Sequence, residues 1–117
     1  MKKNILFLIV IFSFTLNAQK LPKGFVYLSD IDSTIQTELR YLGTNNFIGK
    51  QIDGYQNNCI IVTSETALAL KKIQVILAKK GLSLKIFDAY RPQQAVDHFV
   101  KWVKVLNDTL MKQQYYP

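Results

Sequence analysis

Residues 87–92 read Phe87-Asp88-Ala89-Tyr90-Arg91-Pro92 and join two segments of different hydrophobic periodicity. Before the corner, one set of residues alternates with another, as in a strand with one face buried: Leu82, Leu84 and Ile86 alternate with Ser83, Lys85 and Phe87. Past Pro92, the apolar residues recur at helical spacing: Ala95, Phe99, Trp102, Val103 and Leu106. Pro92 suits the first position of a helix, because its fixed φ is helical and it has no N–H to leave unpaired. The pattern predicts a strand-to-helix corner that aims Asp88, Tyr90 and Arg91 into a cleft.

Three further elements are predicted before this corner. Alternation from Thr34 to Leu42 predicts a strand exposed on one face, and residues 59–63 predict a second, shorter strand. Thr63 or Ser64 can cap a helix that ends just before Gly81. Its apolar residues at helical spacing are Leu70, Ile73 and Leu77. The expected fold class is α+β, with a small mixed or antiparallel sheet packed by two helices.

The first residues of the chain have the layout of a secretory signal peptide. Lys2 and Lys3 precede an apolar run from Ile5 to Phe14, and Ala18 offers a small residue for cleavage. The alternative is a membrane anchor, but the run is well short of the ~20 residues that span a bilayer. We therefore expect residues 1–18 to be a signal peptide and the protein to be exported to the periplasm or outside, with no stable membrane insertion after cleavage.

The charge of the chain argues against a nucleic-acid partner. The formal net charge of +7 falls to +5 once Lys2 and Lys3 leave with the signal. Only two of the fifteen basic residues are arginines, and no Lys/Arg run is interleaved with aromatic residues as a strand-binding groove requires. A small basic exported domain instead favours contact with anionic envelope polymers.

Cysteine and histidine are too few to make a metal site or a thiol catalyst. Cys59 is the only cysteine, which rules out an intrachain disulfide and indicates a small, half-buried strand residue. His98 is the only histidine and lies in the helix after the corner, with Asp97 pointing elsewhere around that helix. We predict that His98 is a helix-surface or boundary residue rather than a zinc ligand.

Residues 43–56 are irregular and rich in Asn, Gly and aromatic side chains. A loop of this length inside a compact domain is uncommon unless it is functional. It can wall a pocket with Tyr41, Asn46, Phe47 and Tyr55, or it can be a surface loop whose aromatic residues pin it to the core. The sequence leaves both interpretations open.

A series of short motifs runs from Asp30 to the last residues. They are Asp30-Ile31-Asp32, Glu38-Leu39-Arg40-Tyr41, Asn45-Asn46-Phe47-Ile48-Gly49-Lys50, Asp53-Gly54-Tyr55, Asp88-Ala89-Tyr90-Arg91-Pro92-Gln93-Gln94-Ala95-Val96 and Tyr115-Tyr116-Pro117. In these motifs the chain resembles the VanX-like D-alanyl-D-alanine dipeptidases, members of a family of zinc D,D-peptidases with a hedgehog-like fold. The resemblance covers residues 19–117, which we expect to be the N-terminal portion of such a domain.

The resemblance implies roles for particular residues. Arg91 matches the arginine that stabilises the oxyanion when water attacks the scissile carbonyl, a task that suits a permanently charged, planar guanidinium. Asp88 is expected to hold that guanidinium by a charge-assisted pair. From spacing alone, an ordinary salt bridge that closes the strand-to-helix turn is the favoured interpretation, and the resemblance reverses that preference. Pocket or supporting roles are implied for Asp88, Tyr90, Tyr41, Asn46 and Phe47.

Zinc is the cofactor that the resemblance implies, yet its ligands are not in this chain. The family binds zinc through an S-x-H-x-x-G-x-A-x-D segment and a later E-x-x-H segment, whose glutamate is the general base. Neither segment occurs here, and we expect both downstream of Pro117. A catalytic zinc needs three protein ligands and an open position for water. We therefore predict that the 117-residue chain alone is inactive.

The function implied is zinc-dependent hydrolysis of the small dipeptide D-alanyl-D-alanine in cell-wall peptide turnover. One alternative is a D,D-carboxypeptidase that trims peptidoglycan stem peptides through a more open cleft. Another is a non-catalytic envelope protein that binds D-Ala-terminated peptides. Comparing hydrolysis of the free dipeptide with hydrolysis of a longer stem peptide would distinguish the dipeptidase from the carboxypeptidase.

Overall fold

The computed structural model describes residues 20–117, so the predicted signal peptide lies outside the described residues. The elements in chain order are β1 (Phe25–Tyr27), α1 (Leu28–Ile31), β2 (Gln36–Thr37), a 3-10 turn (Arg40–Leu42), β3 (Ile61–Thr63), α2 (Ser64–Ala78), β4 (Lys85–Ile86), α3 (Gln93–Val103) and α4 (Lys112–Tyr115). No helix within residues 20–117 is long and apolar enough to cross a membrane.

The four strands form two small sheets. β1 pairs antiparallel with β3, placing Val26 opposite Val62, and β2 pairs parallel with β4, placing Gln36 opposite Lys85. The predicted α+β class is confirmed, and the small sheet is divided into these two pairs. Cys59 is half-buried, as predicted, but it precedes β3 rather than lying in it.

The strand predicted from Thr34 to Leu42 is much shorter than expected. Only Gln36 and Thr37 are strand, and Arg40–Leu42 form the 3-10 turn. The last bond to β4 joins the Glu38 N–H to the Ile86 carbonyl at 2.9 Å. β4 ends there because the chain turns into the corner, so residues after Glu38 have no strand to pair with.

Helix α2 begins and ends where its capping residues predict. The Thr63 Oγ1 accepts a hydrogen bond from the Thr66 N–H at 3.2 Å, and Gly81 adopts a φ of +70° beyond the last turn. The predicted burial of Ile73 is wrong, because its side chain is 45% exposed and Gln74 occupies the core face instead.

Gln74 explains the orientation of α2. Its amide donates to the Thr34 carbonyl at 3.2 Å and accepts from the Leu84 N–H at 2.9 Å. These backbone groups flank β2 and β4, where a buried unpaired amide would cost about 1–3 kcal/mol. A polar side chain on the buried face therefore ties the helix to the parallel sheet and turns Ile73 outward.

Helix α3 places the first part of its predicted stripe in the core. Ala95 is fully buried, and Phe99 and Trp102 pack against the core cluster. Pro92 is the residue before the helix, with an extended ψ of 147°, rather than its first residue. Val103 and Leu106 are 60% and 89% exposed, which corrects the prediction that they are buried. The helix ends at Val103, so Leu106 no longer follows its periodicity.

Candidate active site

The corner brings two polar side chains, those of Arg91 and Tyr55, together around the Asp88 carboxylate. The Arg91 Nε and Nη2 donate to the Asp88 Oδ2 at 3.2 and 2.9 Å. The Tyr55 hydroxyl donates to the other oxygen, Asp88 Oδ1, at 2.8 Å. The Asp88 side chain is 17% exposed and that of Arg91 is 42% exposed. The predicted ion pair is therefore present, with its anion sheltered and its cation partly open to solvent.

The electrostatics keep Arg91 charged and Tyr55 neutral. The hydrogen bond that Arg91 donates to Asp88 raises the pKa of the guanidinium above its usual value. Burial, and next the hydrogen bond to Asp88, raise the pKa of the Tyr55 hydroxyl well above its usual value. The phenol therefore remains a donor, and the carboxylate is bonded at both oxygens. Asp88 therefore orients the Arg91 guanidinium, and the neutral Tyr55 phenol adds no second negative charge beside it.

An aromatic surface supports the guanidinium. The Arg91 Cζ lies 5.4 Å from the Tyr41 ring centroid and 5.2 Å from that of Phe99. The Phe47 ring packs 5.0 Å from Phe99 and meets Tyr41 edge-on at 6.1 Å. Burial raises the pKa of the Tyr41 hydroxyl. Cation–π contacts and an apolar surround both strengthen the electrostatic effect of Arg91.

The loop over residues 43–56 is built around Asn46. Its side chain is buried and donates to the Gly43 and Lys50 carbonyls at 2.9 and 2.8 Å, while it accepts from the Ile48 N–H at 3.0 Å. Gly54 has a φ of +86°, and a Cβ there would lie 2.9 Å from the Pro92 Cβ. The loop therefore packs closely on the start of α3.

A cavity of about 250 Å³ lies beside the Asp88–Arg91 pair. It is lined by Arg40, Tyr41, Asn46, Phe47, Phe87, Asp88 and Tyr115. Tyr41, Asn46 and Phe47 thus line a pocket as predicted, and the same aromatic residues pin the loop to the core. Tyr55 differs, because it holds Asp88 rather than lining this cavity.

Tyr90 does not line the cavity that Tyr41, Asn46 and Phe47 share. Its side chain is 56% exposed and lines a separate cavity of about 380 Å³ together with Tyr27 and Cys59. Tyr90 and Asp88 line a further groove of about 360 Å³ together, and Arg91 lines neither that groove nor the cavity of about 380 Å³. Adjacent residues at an extended turn point in different directions, so Tyr90 and Arg91 diverge.

Three lining residues, Arg40, Phe87 and Tyr115, were missed from the sequence. Arg40 pairs with Glu38 at 3.2 Å, and its Cζ lies 4.3 Å from the Phe87 ring centroid. The alternation that places Glu38 and Arg40 on one face was a usable signal for that pair. Tyr115, whose hydroxyl donates to the Asn45 Oδ1, comes from seventy residues along the chain, which no local pattern reveals.

The described residues do not fit a zinc ion. Within residues 20–117 no three His, Cys, Asp or Glu side chains are grouped to hold a metal. The His98 Nδ1 accepts the Asp53 N–H at 3.1 Å, and the side chain is half-buried at the foot of the loop. The prediction that His98 is a boundary residue is confirmed, and its role is to hold the loop against α3.

Comparison with known proteins agrees with this geometry. The family described as D-Ala-D-Ala dipeptidase, peptidase family M15, matches residues 22–117. The chain is 39% identical to a D-alanyl-D-alanine dipeptidase of Enterococcus faecalis over 97 residues, which cover 83% of this chain and 48% of that protein. It is 37% identical to one of Enterococcus faecium over 94 residues, covering 80% and 46%, and 36% identical to one of Streptomyces coelicolor over 93 residues, covering 80% and 46%.

The match is broad along this chain and partial along its relatives. The chain spans about half the length of the curated relatives it matches. The matched residues include the Asp88–Arg91 corner and the loop that lines the cavity. By the family match over residues 22–117 and by its identity to these relatives, the chain belongs to the D-Ala-D-Ala dipeptidase family of peptidases.

Proposed function

We propose that this chain supplies the oxyanion-stabilising part of a site that hydrolyses D-alanyl-D-alanine. The observation that carries the proposal is the sheltered Asp88 carboxylate, which lines a small cavity and holds the Arg91 guanidinium over two aromatic rings. The relatives named as D-alanyl-D-alanine dipeptidases support it.

Arg91 acts on the charge that forms during the reaction. When water attacks the scissile carbonyl, negative charge develops on the carbonyl oxygen. A cation already in position stabilises that charge without reorganising, and loss of one such donor typically costs about 10²–10³ in turnover. Asp88 and Tyr55 keep the guanidinium in place before the substrate arrives, so they are positioning residues.

The cavity favours a small substrate. Its volume of about 250 Å³ and its aromatic lining suit a dipeptide with two methyl side chains. A stem peptide would have to extend past Tyr115 and the loop. We propose the free dipeptide as substrate. A carboxypeptidase would instead prefer a longer stem peptide.

The remaining catalytic groups are proposed to lie outside the described residues. Zinc, held there, would supply Lewis-acid activation of water. We also propose that residues 1–18 direct export and that the reaction serves cell-wall peptide turnover. The support is the basic start and short apolar run of the N-terminus.

The test combines this chain with the part of the Enterococcus faecalis relative that it does not match, co-expressed as a second polypeptide. We expect no D-alanine release by the full chain alone at stoichiometric zinc, and release from the dipeptide once both polypeptides are present. Release by the chain alone contradicts the expected inactivity. Faster cleavage of a stem pentapeptide than of the dipeptide identifies a carboxypeptidase.

A further inference from the structure

The cavity of about 380 Å³ that Tyr90 lines is distinct from the cavity assigned to the dipeptide. Neither Arg91 nor Asp88 lines it. It is bounded by residues 20–22 before β1, by residues 54–57 at the end of the loop, and by Tyr90, Pro92 and Gln94 at the corner. It is larger than the cavity of about 250 Å³, and the proposed reaction leaves it without a role.

Backbone hydrogen bonds fix two walls of this cavity. The Phe25 N–H donates to the Pro22 carbonyl at 3.1 Å and holds the segment before β1. The Tyr90 N–H donates to the Ile61 carbonyl at 3.1 Å and holds the corner against β3. The cavity is therefore formed before a ligand enters, as sites for small molecules usually are.

Aromatic rings and side-chain amides supply most of the chemistry of the lining. Tyr27, Tyr55 and Tyr90 contribute aromatic surface, and Gln56, Asn57 and Gln94 contribute amides. Aromatic rings favour apolar contact, and an amide both donates and accepts hydrogen bonds. A sugar matches this combination, because its ring presents C–H groups on its faces and hydroxyl groups, which also donate and accept, around its rim.

The charge of the lining narrows the class of ligand. Among the described residues that line the cavity, Lys20 is the one charged residue, and none is Asp or Glu. A zwitterionic dipeptide would find no carboxylate for its ammonium group, and a nucleotide would find one cation for several phosphate charges. The lining therefore favours a ligand with a single negative charge.

We propose that this cavity binds an N-acetylated sugar with one carboxylate, which pairs with Lys20. The acetamido group of such a sugar can bond to the amides of the lining, and its methyl group can pack on Pro22 and Pro92. N-acetylmuramic acid of the bacterial cell wall has this structure. An intact wall joins its carboxylate to the stem peptide, so the proposed ligand is a wall sugar from which the peptide has been removed. The choice of this particular sugar rests on the proposed role in the cell wall.

The test is a titration of the ¹⁵N-labelled full chain with N-acetylmuramic acid, followed by NMR. We expect saturable shifts of the Gly54, Asn57 and Gln94 backbone signals, whereas those of Asn46 and Phe47 in the other cavity should stay in place. N-acetylglucosamine, which has no carboxylate, should bind at least about tenfold more weakly, because it lacks the charge-assisted bond. D-alanyl-D-alanine should not shift the signals of the larger cavity.

Cys59 gives a second measure of occupancy, because it is the only cysteine in the chain and lines the cavity. With N-acetylmuramic acid at ten times its Kd, alkylation of the Cys59 thiol by iodoacetamide should slow by about tenfold, since only the unoccupied cavity admits the reagent. The NMR shifts decide the matter even if the thiol does not react.

Two adjacent glutamines form a matched pair of variants. Gln93 and Gln94 are both exposed at the start of α3, and of the two only Gln94 lines the cavity. Gln94→Leu should weaken the binding of N-acetylmuramic acid at least about threefold by removing a hydrogen-bonding group. Gln93→Leu should leave the affinity unchanged.

Two lysines test the assignment of the carboxylate. Lys20 and Lys23 are both exposed, and of the two only Lys20 lines the cavity. Lys20→Ala should reduce the affinity for N-acetylmuramic acid to that for N-acetylglucosamine, and Lys23→Ala should not. Equal effects of the two lysine variants, or equal affinities of the wild type for the two sugars, overturn the proposed pairing.

Other results overturn the cavity as a sugar site altogether. One is the absence of a saturable shift with either sugar. Another is protection of Cys59 by D-alanyl-D-alanine as strong as that by N-acetylmuramic acid, which would make the cavity part of the peptidase site. None of these measurements depends on D-alanine release, so failure of the sugar site leaves the proposed hydrolysis standing, and failure of hydrolysis leaves the sugar site standing.

Discussion

Two arginine–carboxylate pairs flank the same cavity and are built in similar ways. Arg91 pairs with Asp88 and lies over Tyr41 and Phe99, and Arg40 pairs with Glu38 and lies over Phe87. In each pair the arginine Nε lies 3.2 Å from a carboxylate oxygen. The pairs differ by only one residue in sequence spacing, three against two, and the shared Nε distance does not separate them.

Burial and the number of partners do separate the two pairs. The Asp88 side chain is 17% exposed and serves one cation and one neutral phenol. The Glu38 side chain is 35% exposed and is shared by Arg40 and Lys85. An exposed pair contributes about 0–1 kcal/mol, whereas a sheltered anion with fixed donors can hold a cation in place. The difference shows that the carboxylate's surroundings, not the ion pair, distinguish the candidate catalytic arginine.

The largest contrast should appear when each arginine is removed. In the two-polypeptide assembly, Arg91→Ala should lower kcat for D-alanine release by about 10²–10³-fold, because the oxyanion loses its donor. Arg40→Ala, the matched change in the other pair, should lower it less than about tenfold, the ordinary effect of losing one surface contact. Equal losses in the two variants would show that Arg91 has no special role.

The next contrast concerns the carboxylates. Asp88→Asn leaves Arg91 charged but without its anionic anchor, and a misplaced catalytic group typically costs up to about 10²-fold. We expect kcat to fall by about 10–10²-fold with a smaller change in KM, and Glu38→Gln to change either constant less than about threefold. If Asp88→Asn changed KM alone and left kcat unaffected, the result would argue that Asp88 does not position Arg91 for catalysis.

A smaller effect is expected from the phenol that anchors Asp88. Tyr55→Phe removes a hydrogen bond to a charged group, which is worth about 1.5–3 kcal/mol of the free energy of unfolding. Tyr41→Phe is the matched control, since the structure shows no hydrogen bond of that hydroxyl within the described residues. Urea unfolding of the full chain at pH 7 measures both, and equal midpoints would contradict the anchoring role.

The same variant has a pH signature. The pKa of Tyr55 is raised in the folded state, so its contribution is fully present below the ordinary tyrosine pKa and is lost as the pH rises above it. Between pH 8 and pH 11 the wild-type urea midpoint should therefore fall further than that of Tyr55→Phe. Parallel falls would mean that the hydroxyl is not coupled to folding.

The smallest effect is expected at Glu38. Hydrogen bonding to Lys85, and then to Arg40, lowers the pKa of this carboxyl, so its contribution is present above its ordinary pKa and is lost as the pH falls through the lowered value. Between pH 6 and pH 3 the wild type should lose slightly more stability than Glu38→Gln, and added salt should reduce the difference. An acid dependence that salt leaves unchanged would contradict a solvent-exposed pair.

Local signals in the sequence were sufficient for helix α2 and for the central ion pair. Thr63 and Gly81 bound α2 through contacts within a few residues, and Asp88 and Arg91 face each other across one turn. The motif around them also identified the family. In each case the interacting groups are neighbours in the chain, so residue type and spacing are enough to predict the contact.

Longer-range contacts explain what the patterns misplaced. The alternation of apolar and polar residues continues to Leu42, but β2 ends at Thr37 because the chain after β4 turns away into the corner. The helical stripe suggested that Ile73 is buried, but Gln74 faces inward to bond Thr34 and Leu84. Tyr90 was assigned to the site beside Arg91, but it lines cavities that Arg91 does not line.

What the amino-acid order settles is therefore the corner: a strand, Asp88, Arg91 and a helix that follows Pro92. What the tertiary packing adds is its setting, in which Tyr55 reaches Asp88 from the loop and Tyr115 reaches Asn45 from the last turn. Local spacing cannot reveal these contacts, because their partners lie 33 and 70 residues apart in the chain. The burial of Asp88, which sets its pair apart from that of Glu38, likewise arises only when those distant segments pack together.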